Sequence, residues 1–145
     1  MAKFSKLKKL IRRRPVRQLN IKEAKREMWL AEKKVSELKL MMGRCERSLA
    51  KGNLSDEQVI KLINLPKAAE LWYFDMKLKD RCFSSRARNR AVKMRLKKVI
   101  EEGNTKLREL EELGDDAVLD HILNELYPEA INLLELRIRT LKNRL

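Results

Sequence analysis

The chain has few of the residues that break or kink a backbone. Its 145 residues include four glycines and three prolines. That is too little turn chemistry for a many-stranded sheet. Aromatic residues make up 5%, and no apolar run is long enough to cross a bilayer. Histidine occurs once, at His121, and cysteine twice, at Cys45 and Cys82. Neither cysteine has a second cysteine or a histidine at zinc-ligand spacing, and two such residues are no disulfide framework. These absences point to a reducing compartment, the cytoplasm or an organelle matrix. A catalytic or metal role for His121 would need partners, but no second histidine or nearby cysteine exists, and Asp120 and Glu125 read as helix-surface acids. A glycine-rich phosphate loop, a nucleophile elbow and a paired metal motif are all missing. No catalysis, cofactor, metal or small-molecule substrate is therefore expected. The N-terminus lacks the apolar core and small-residue cleavage site of a secretory signal, so secretion is not expected. It is acid-free and basic like an organelle transit peptide, but Ser5 is its single hydroxyl residue, and it reads first as a nucleic-acid-binding arm.

Acid is absent from two stretches, and this is the strongest functional signal in the chain. Residues 1–19 carry eight bases and no acid: Lys3, Lys6, Lys8, Lys9, Arg12, Arg13, Arg14 and Arg17. Residues 81–98 carry another eight: Arg81, Arg86, Arg88, Arg90, Lys93, Arg95, Lys97 and Lys98. Residues 99–129 then reverse sign, with ten acids against two bases, inside a chain of net charge +14. Clustered Lys and Arg displace the counterions condensed on phosphates, so the expected partner is a polyanion.

What is abundant is helix-forming. Leu, Lys, Arg, Glu and Ala dominate, and the apolar residues are periodic. Phe4, Leu7, Leu10 and Ile11 mark a short basic helix that Pro15 stops. Asn20 caps the next helix and Glu23 completes a capping-box-like pattern. Ile21, Ala24, Met28, Ala31, Val35, Leu38, Met42, Cys45 and Leu49 then recur at alternating spacings of three and four, a heptad seam. Gly52 and Asn53 end it. Ser55 and Gln58 form a second capping box, with Leu54 able to staple to Val59. Pro66 predicts an early end to that helix and the start of another. Residues 68–83, the most apolar stretch, are expected to face the first seam, with helix continuing through the basic block to Gly103. A short helix over residues 104–113 ends at Gly114. Asp115 or Asp116 caps a helix carrying Val118, Leu119, Ile122, Leu123 and Leu126, and Pro128 opens the last, with Ile131, Leu134, Ile138, Leu141 and Leu145 inward. The expected fold is all-α: a long antiparallel, coiled-coil-like hairpin with a smaller C-terminal helical part. Its divisions are an arm at 1–19, the hairpin at 20–103, and acidic then mixed-charge helices at 104–145.

On a helix, Arg86, Arg90, Lys93 and Lys97 fall in one narrow stripe while Val92, Leu96 and Val99 lie elsewhere. The helix can dock and still present a cationic ridge, and Arg suits phosphate because its planar fork donates two bonds at once. The candidate nucleic-acid contacts are Lys8, Lys9, Arg12, Arg13, Arg14, Arg17, Arg81, Arg86, Arg88, Arg90, Lys93, Arg95, Lys97 and Lys98. Trp72, Tyr73, Phe74 and Phe83 could stack on bases, but their apolar neighbours favour core packing, with Phe83 the exception. The acidic stretch reads as a solvated face, a shield over the ridge, or a contact for a basic neighbour.

Residues 30–90 carry short pieces in a familiar order: Leu30-Ala31-Glu32-Lys33, Glu37-Leu38-Lys39, Lys61-Leu62-Ile63-Asn64-Leu65-Pro66-Lys67, and Asp80-Arg81-Cys82 followed by Ser85-Arg86. Together they resemble bacterial and organellar small-subunit ribosomal protein family fourteen. The chain departs from that family in having no glycine after Cys82 and helix instead of an irregular loop after Arg86. About forty C-terminal residues also have no counterpart. The resemblance implies a structural, rRNA-binding subunit. The expected function is thus non-enzymatic binding of nucleic acid, RNA in preference to DNA, within a particle that includes other proteins, and not at a membrane. Two other readings remain at this point: a coiled-coil adaptor whose seam takes a partner helix, and a DNA-packaging or virion protein.

Overall fold

A computed structural model describes residues 20–51 and 55–145, and among them every element is helical. The elements are α1 (Ile21–Lys51), α2 (Asp56–Asp80), α3 (Ser85–Leu113), α4 (Asp115–His121), a π-helical turn (Ile122–Leu126) and α5 (Tyr127–Arg144). The arm, the glycine end of α1, the Leu54 staple and the side chain of Leu49 lie outside the described residues.

Local chemistry sets the helix starts. The Glu23 backbone amide donates to Asn20 Oδ1 at 2.7 Å, and the Asn20 side chain donates through Nδ2 to Glu23 Oε1 at 3.4 Å. Ser55 and Gln58 form the full reciprocal capping box at 3.0 and 3.3 Å. Asp115 and Asp116 do not cap α4. Gly114, at φ 111, is the sole hinge between α3 and α4, and no side chain caps that start. The two acids instead sit in the first turn, where the helix dipole favours them.

Pro66 does not divide α2; the helix runs straight through it. Proline in a helix interior removes the amide that would bond four residues back, here to the Leu62 carbonyl. Tyr127 of α5 supplies the missing donor, its hydroxyl giving a 2.8 Å hydrogen bond to the Leu62 oxygen. Both Pro66 and Tyr127 are buried. The tertiary fold thus completes a helix that its own backbone leaves incomplete.

The burial of this hydroxyl ties stability to pH. Burial first, and the neighbouring Cys45 second, push the Tyr127 phenol up to about 12. The unfolded chain loses that proton at about pH 10, while the folded chain holds it. Between those values the unfolded state gains on the folded one, so this group removes about 1.4 kcal/mol of stability per pH unit. Tyr127→Phe leaves the Leu62 carbonyl unpaired and should cost about 1–3 kcal/mol at neutral pH. It also deletes the titration, so urea midpoints of variant and parent should converge as the pH rises through 10. Parallel midpoints would show that the folded state does not bury the hydroxyl away from water.

Two further boundaries differ from expectation. The helix does not run unbroken from residue 68 to Gly103; it stops at Asp80 and restarts at Ser85. Cys82 adopts the left-handed φ of 62°, its amide bonds the Lys79 oxygen, and the Phe83 amide bonds the Leu78 oxygen. That is a Schellman stop with cysteine where glycine is usual. Ser84 then caps α3, accepting from the Ala87 amide at 3.1 Å. Gly103 ends nothing: it lies inside α3, where a Cβ would meet the Lys67 amine at 2.8 Å. Pro128 stands in the first two positions of α5, as its place in the sequence predicts, although α4, the π turn and α5 follow one another without a break.

The seam of α1 packs chiefly on α5, and only lightly on α2. Val35, Leu38 and Cys45 meet Leu62, Ile63 and Ala69 of α2, Val118 and Leu119 of α4, Ile122 of the π turn, and Tyr127, Ala130, Ile131 and Leu134 of α5 in one core. Residues 68–83 therefore do not form the main cover of the first seam. Ile21, expected on the seam, is exposed, as is Leu145 at the end of the last stripe. Helix α3 contributes no buried residue. It flanks α2 and α4 and touches the core only through half-buried Leu107 and Leu110.

Candidate nucleic-acid interface

The peripheral position of α3 determines what its basic half can do. Two of its cations hold it to α2. Arg88 donates to Asp75 Oδ1 at 3.1 Å and to the Phe83 carbonyl at 2.9 Å. Arg95 donates to Glu70 at 2.8 Å and lies over the Phe74 ring at 5.9 Å. Partly exposed pairs of this kind contribute about 1 kcal/mol or less each. Arg88 and Arg95 are therefore structural ties, and the structure separates them from the other candidates.

Arg86, Arg90, Lys93 and Lys97 are exposed, and among the described residues none has an ion-pair partner. They form the stripe that helical spacing predicts. Lys98 is exposed and stands 4.0 Å from Glu102. Arg81 is exposed in the turn before α3. Lys8, Lys9, Arg12, Arg13, Arg14 and Arg17 lie outside the described residues.

The charge order along α3 opposes the helix dipole. Bases occupy its start, with no acid in the first turn, and Glu109, Glu111 and Glu112 occupy its end, with no base in the last turn. Each misplaced charge costs about 0.3–1 kcal/mol. Nor does the acidic half cover the whole ridge. The two lie on one rod, and at about 1.5 Å per residue the first acid, Glu101, stands one turn, about 6 Å along the axis, from Lys97 but about 16.5 Å from Arg90. The second distance is beyond the Debye length of about 8 Å at physiological salt. The Arg86 and Arg90 end of the ridge is therefore set apart from that acidic run, and Arg86 lies in a first turn that the helix dipole already makes positive.

A second basic recess was not legible in the sequence. Lys77, Arg81, Arg137 and Arg144 line a cavity of about 220 Å³ with Tyr73, Asp80 and Thr140. Beneath it lies a buried ionic cluster joining three helices. Arg137 of α5, 3% exposed, donates to Glu27 of α1 at 2.8 Å and bidentately to Asp80 of α2. Arg144 also reaches Asp80, at 3.2 Å. Burial pulls the Arg137 guanidinium down, but the bonds from Asp80 and Glu27 outweigh it and hold the group above its ordinary value. The signal for this cluster was a charge inside each apolar stripe: Glu27 between Ala24 and Ala31, Asp80 after Met76, Arg137 between Leu134 and Leu141.

The four aromatic candidates are half-buried. Lysine amines lie over two of them, Lys34 above Trp72 at 5.4 Å and Lys77 above Tyr73 at 5.3 Å. His121 hydrogen-bonds Glu125, four residues on, and no cluster able to hold a metal occurs among the described residues. No described helix is long and apolar enough to cross a membrane. No protein-family model matches the chain, and neither a curated protein nor a solved structure matches it.

Proposed function

We propose that this protein is a non-enzymatic nucleic-acid-binding subunit that grips backbone phosphates, and that its partner is RNA within a ribonucleoprotein particle. One observation carries this reading: the exposed stripe of Arg86, Arg90, Lys93 and Lys97 along the first half of α3, which has no ion-pair partner among the described residues. A chain selected for stability alone would place acids in the first turn, where Arg86 stands. A polyanion along the stripe offsets the repulsion among the four cations and between Arg86 and the helix dipole. The likeness of residues 30–90 to a small-subunit ribosomal family favours RNA over DNA. Backbone contact of this type positions a protein on its partner and carries little base specificity.

The protein purified at moderate salt should carry nucleic acid, seen as excess absorbance at about 260 nm, and RNase should remove it while DNase leaves it. Removal by DNase alone would favour the DNA-packaging reading. A protein free of nucleic acid at low salt would contradict the proposal.

A further inference from the structure

A groove of about 370 Å³ runs between α2 and α3 immediately beside the ridge, lined by Leu71, Trp72 and Asp75 of α2 and by Asn89, Val92 and Lys93 of α3. Resting on the phosphate-binding reading above, we infer that this groove receives the base of an unpaired nucleotide while the ridge holds the phosphates on either side of it.

The lining has the three chemistries that a nucleotide presents. Trp72, Leu71 and Val92 form an apolar and aromatic floor, suited to the flat face of a base. Asn89 is exposed at the rim, and its amide offers both a donor and an acceptor to a base edge. Lys93 belongs at once to the groove and to the ridge, so a phosphate on Lys93 leaves its own base within reach of the floor. Asp75, the one acid in the lining, is already engaged by Arg88 at 3.1 Å. The Lys34 amine over the Trp72 ring adds a further cation beside the site. The volume falls in the range of small-ligand sites. Paired bases are stacked within a duplex and cannot enter, so the groove makes the ridge selective for single strands.

Trp29 and Trp72 are the two tryptophans, and Trp29 is exposed on α1. In a Trp29→Phe background the emission therefore reports Trp72 alone. A single-stranded oligouridine should quench or shift it as binding saturates, and an RNA duplex of equal length should bind through the ridge with little change. Trp72→Leu should weaken single-strand binding roughly tenfold and duplex binding hardly at all. Because that change also touches core packing, Asn89→Ala at an exposed position supplies a second readout, a loss of about fivefold confined to the single strand. Binding of both nucleic acids with a silent Trp72 would overturn the groove while leaving the ridge standing. An equal response to duplex would overturn selectivity for an unpaired base. Binding of neither would remove the ridge reading and the groove with it.

Discussion

Replacing Arg137 by methionine should cost about 3–5 kcal/mol, a large part of the stability of a domain this size. Arg137 is 3% exposed, and the side chains it bonds, Glu27 and Asp80, are 7% and 6% exposed. Methionine fills most of the space but leaves two carboxylates in an apolar interior without their buried cation. A buried charge that loses its partner costs far more than the pair itself contributes. Arg144, which already reaches Asp80, offsets only part of the loss. The same argument predicts recovery. Glu27→Met and Asp80→Leu combined with Arg137→Met should restore most of the stability, because an apolar cluster of similar volume has no charge to desolvate. Chemical denaturation of the single and triple variants measures both. A loss below about 1 kcal/mol in the single variant would mean that water reaches the cluster.

Leu38→Asp should cost a comparable amount, about 2–5 kcal/mol or more, and should unfold the protein if its margin is small. Leu38 is 1% exposed in the main core, so an aspartate there has no partner. Leu40→Asp, two residues on at a site 53% exposed, should stay within about 0.5 kcal/mol of the parent. The pair of thermal melts, followed by circular dichroism, also separates two functions. The adaptor reading needs a seam open to a partner helix, whereas α5 of the same chain occupies this one. A Leu38→Asp melt as firm as that of Leu40→Asp would show the seam open and revive the adaptor reading.

What was legible in the sequence was local. The start of α1 at Asn20 and of α2 at Ser55 depends on side chains three residues apart, and both caps form as read. The all-helical class follows from composition and apolar spacing. What was not legible depends on distant residues. Pro66 has the signature of a helix boundary, and the donor that stands in for its missing amide, the hydroxyl of Tyr127, lies far along the chain. The stop after Asp80 uses a Schellman geometry whose usual marker, glycine, is replaced by Cys82. Heptad spacing in α1 shows that a helix must cover the seam. It does not say which one, and α5 is as well patterned for the task as α2. The ridge shows the same division. Helical spacing places Arg86, Arg90, Lys93 and Lys97 on one stripe, but only the positions of Asp75 and Glu70 reveal that Arg88 and Arg95 are spent on holding α3 to α2.

The central claim is that the free cations of α3 bind phosphate, and the dependence of affinity on salt tests it most directly. For the parent protein, log K against log salt concentration should fall steeply with single-stranded RNA. With Arg86, Arg90, Lys93 and Lys97 all replaced by Gln, the slope should flatten by about 3, near 0.7 per lost contact. The same substitutions at exposed sites should leave the thermal melt unchanged or slightly firmer, since they relieve repulsion at the start of α3. An unaltered slope and affinity in the quadruple variant would contradict the account.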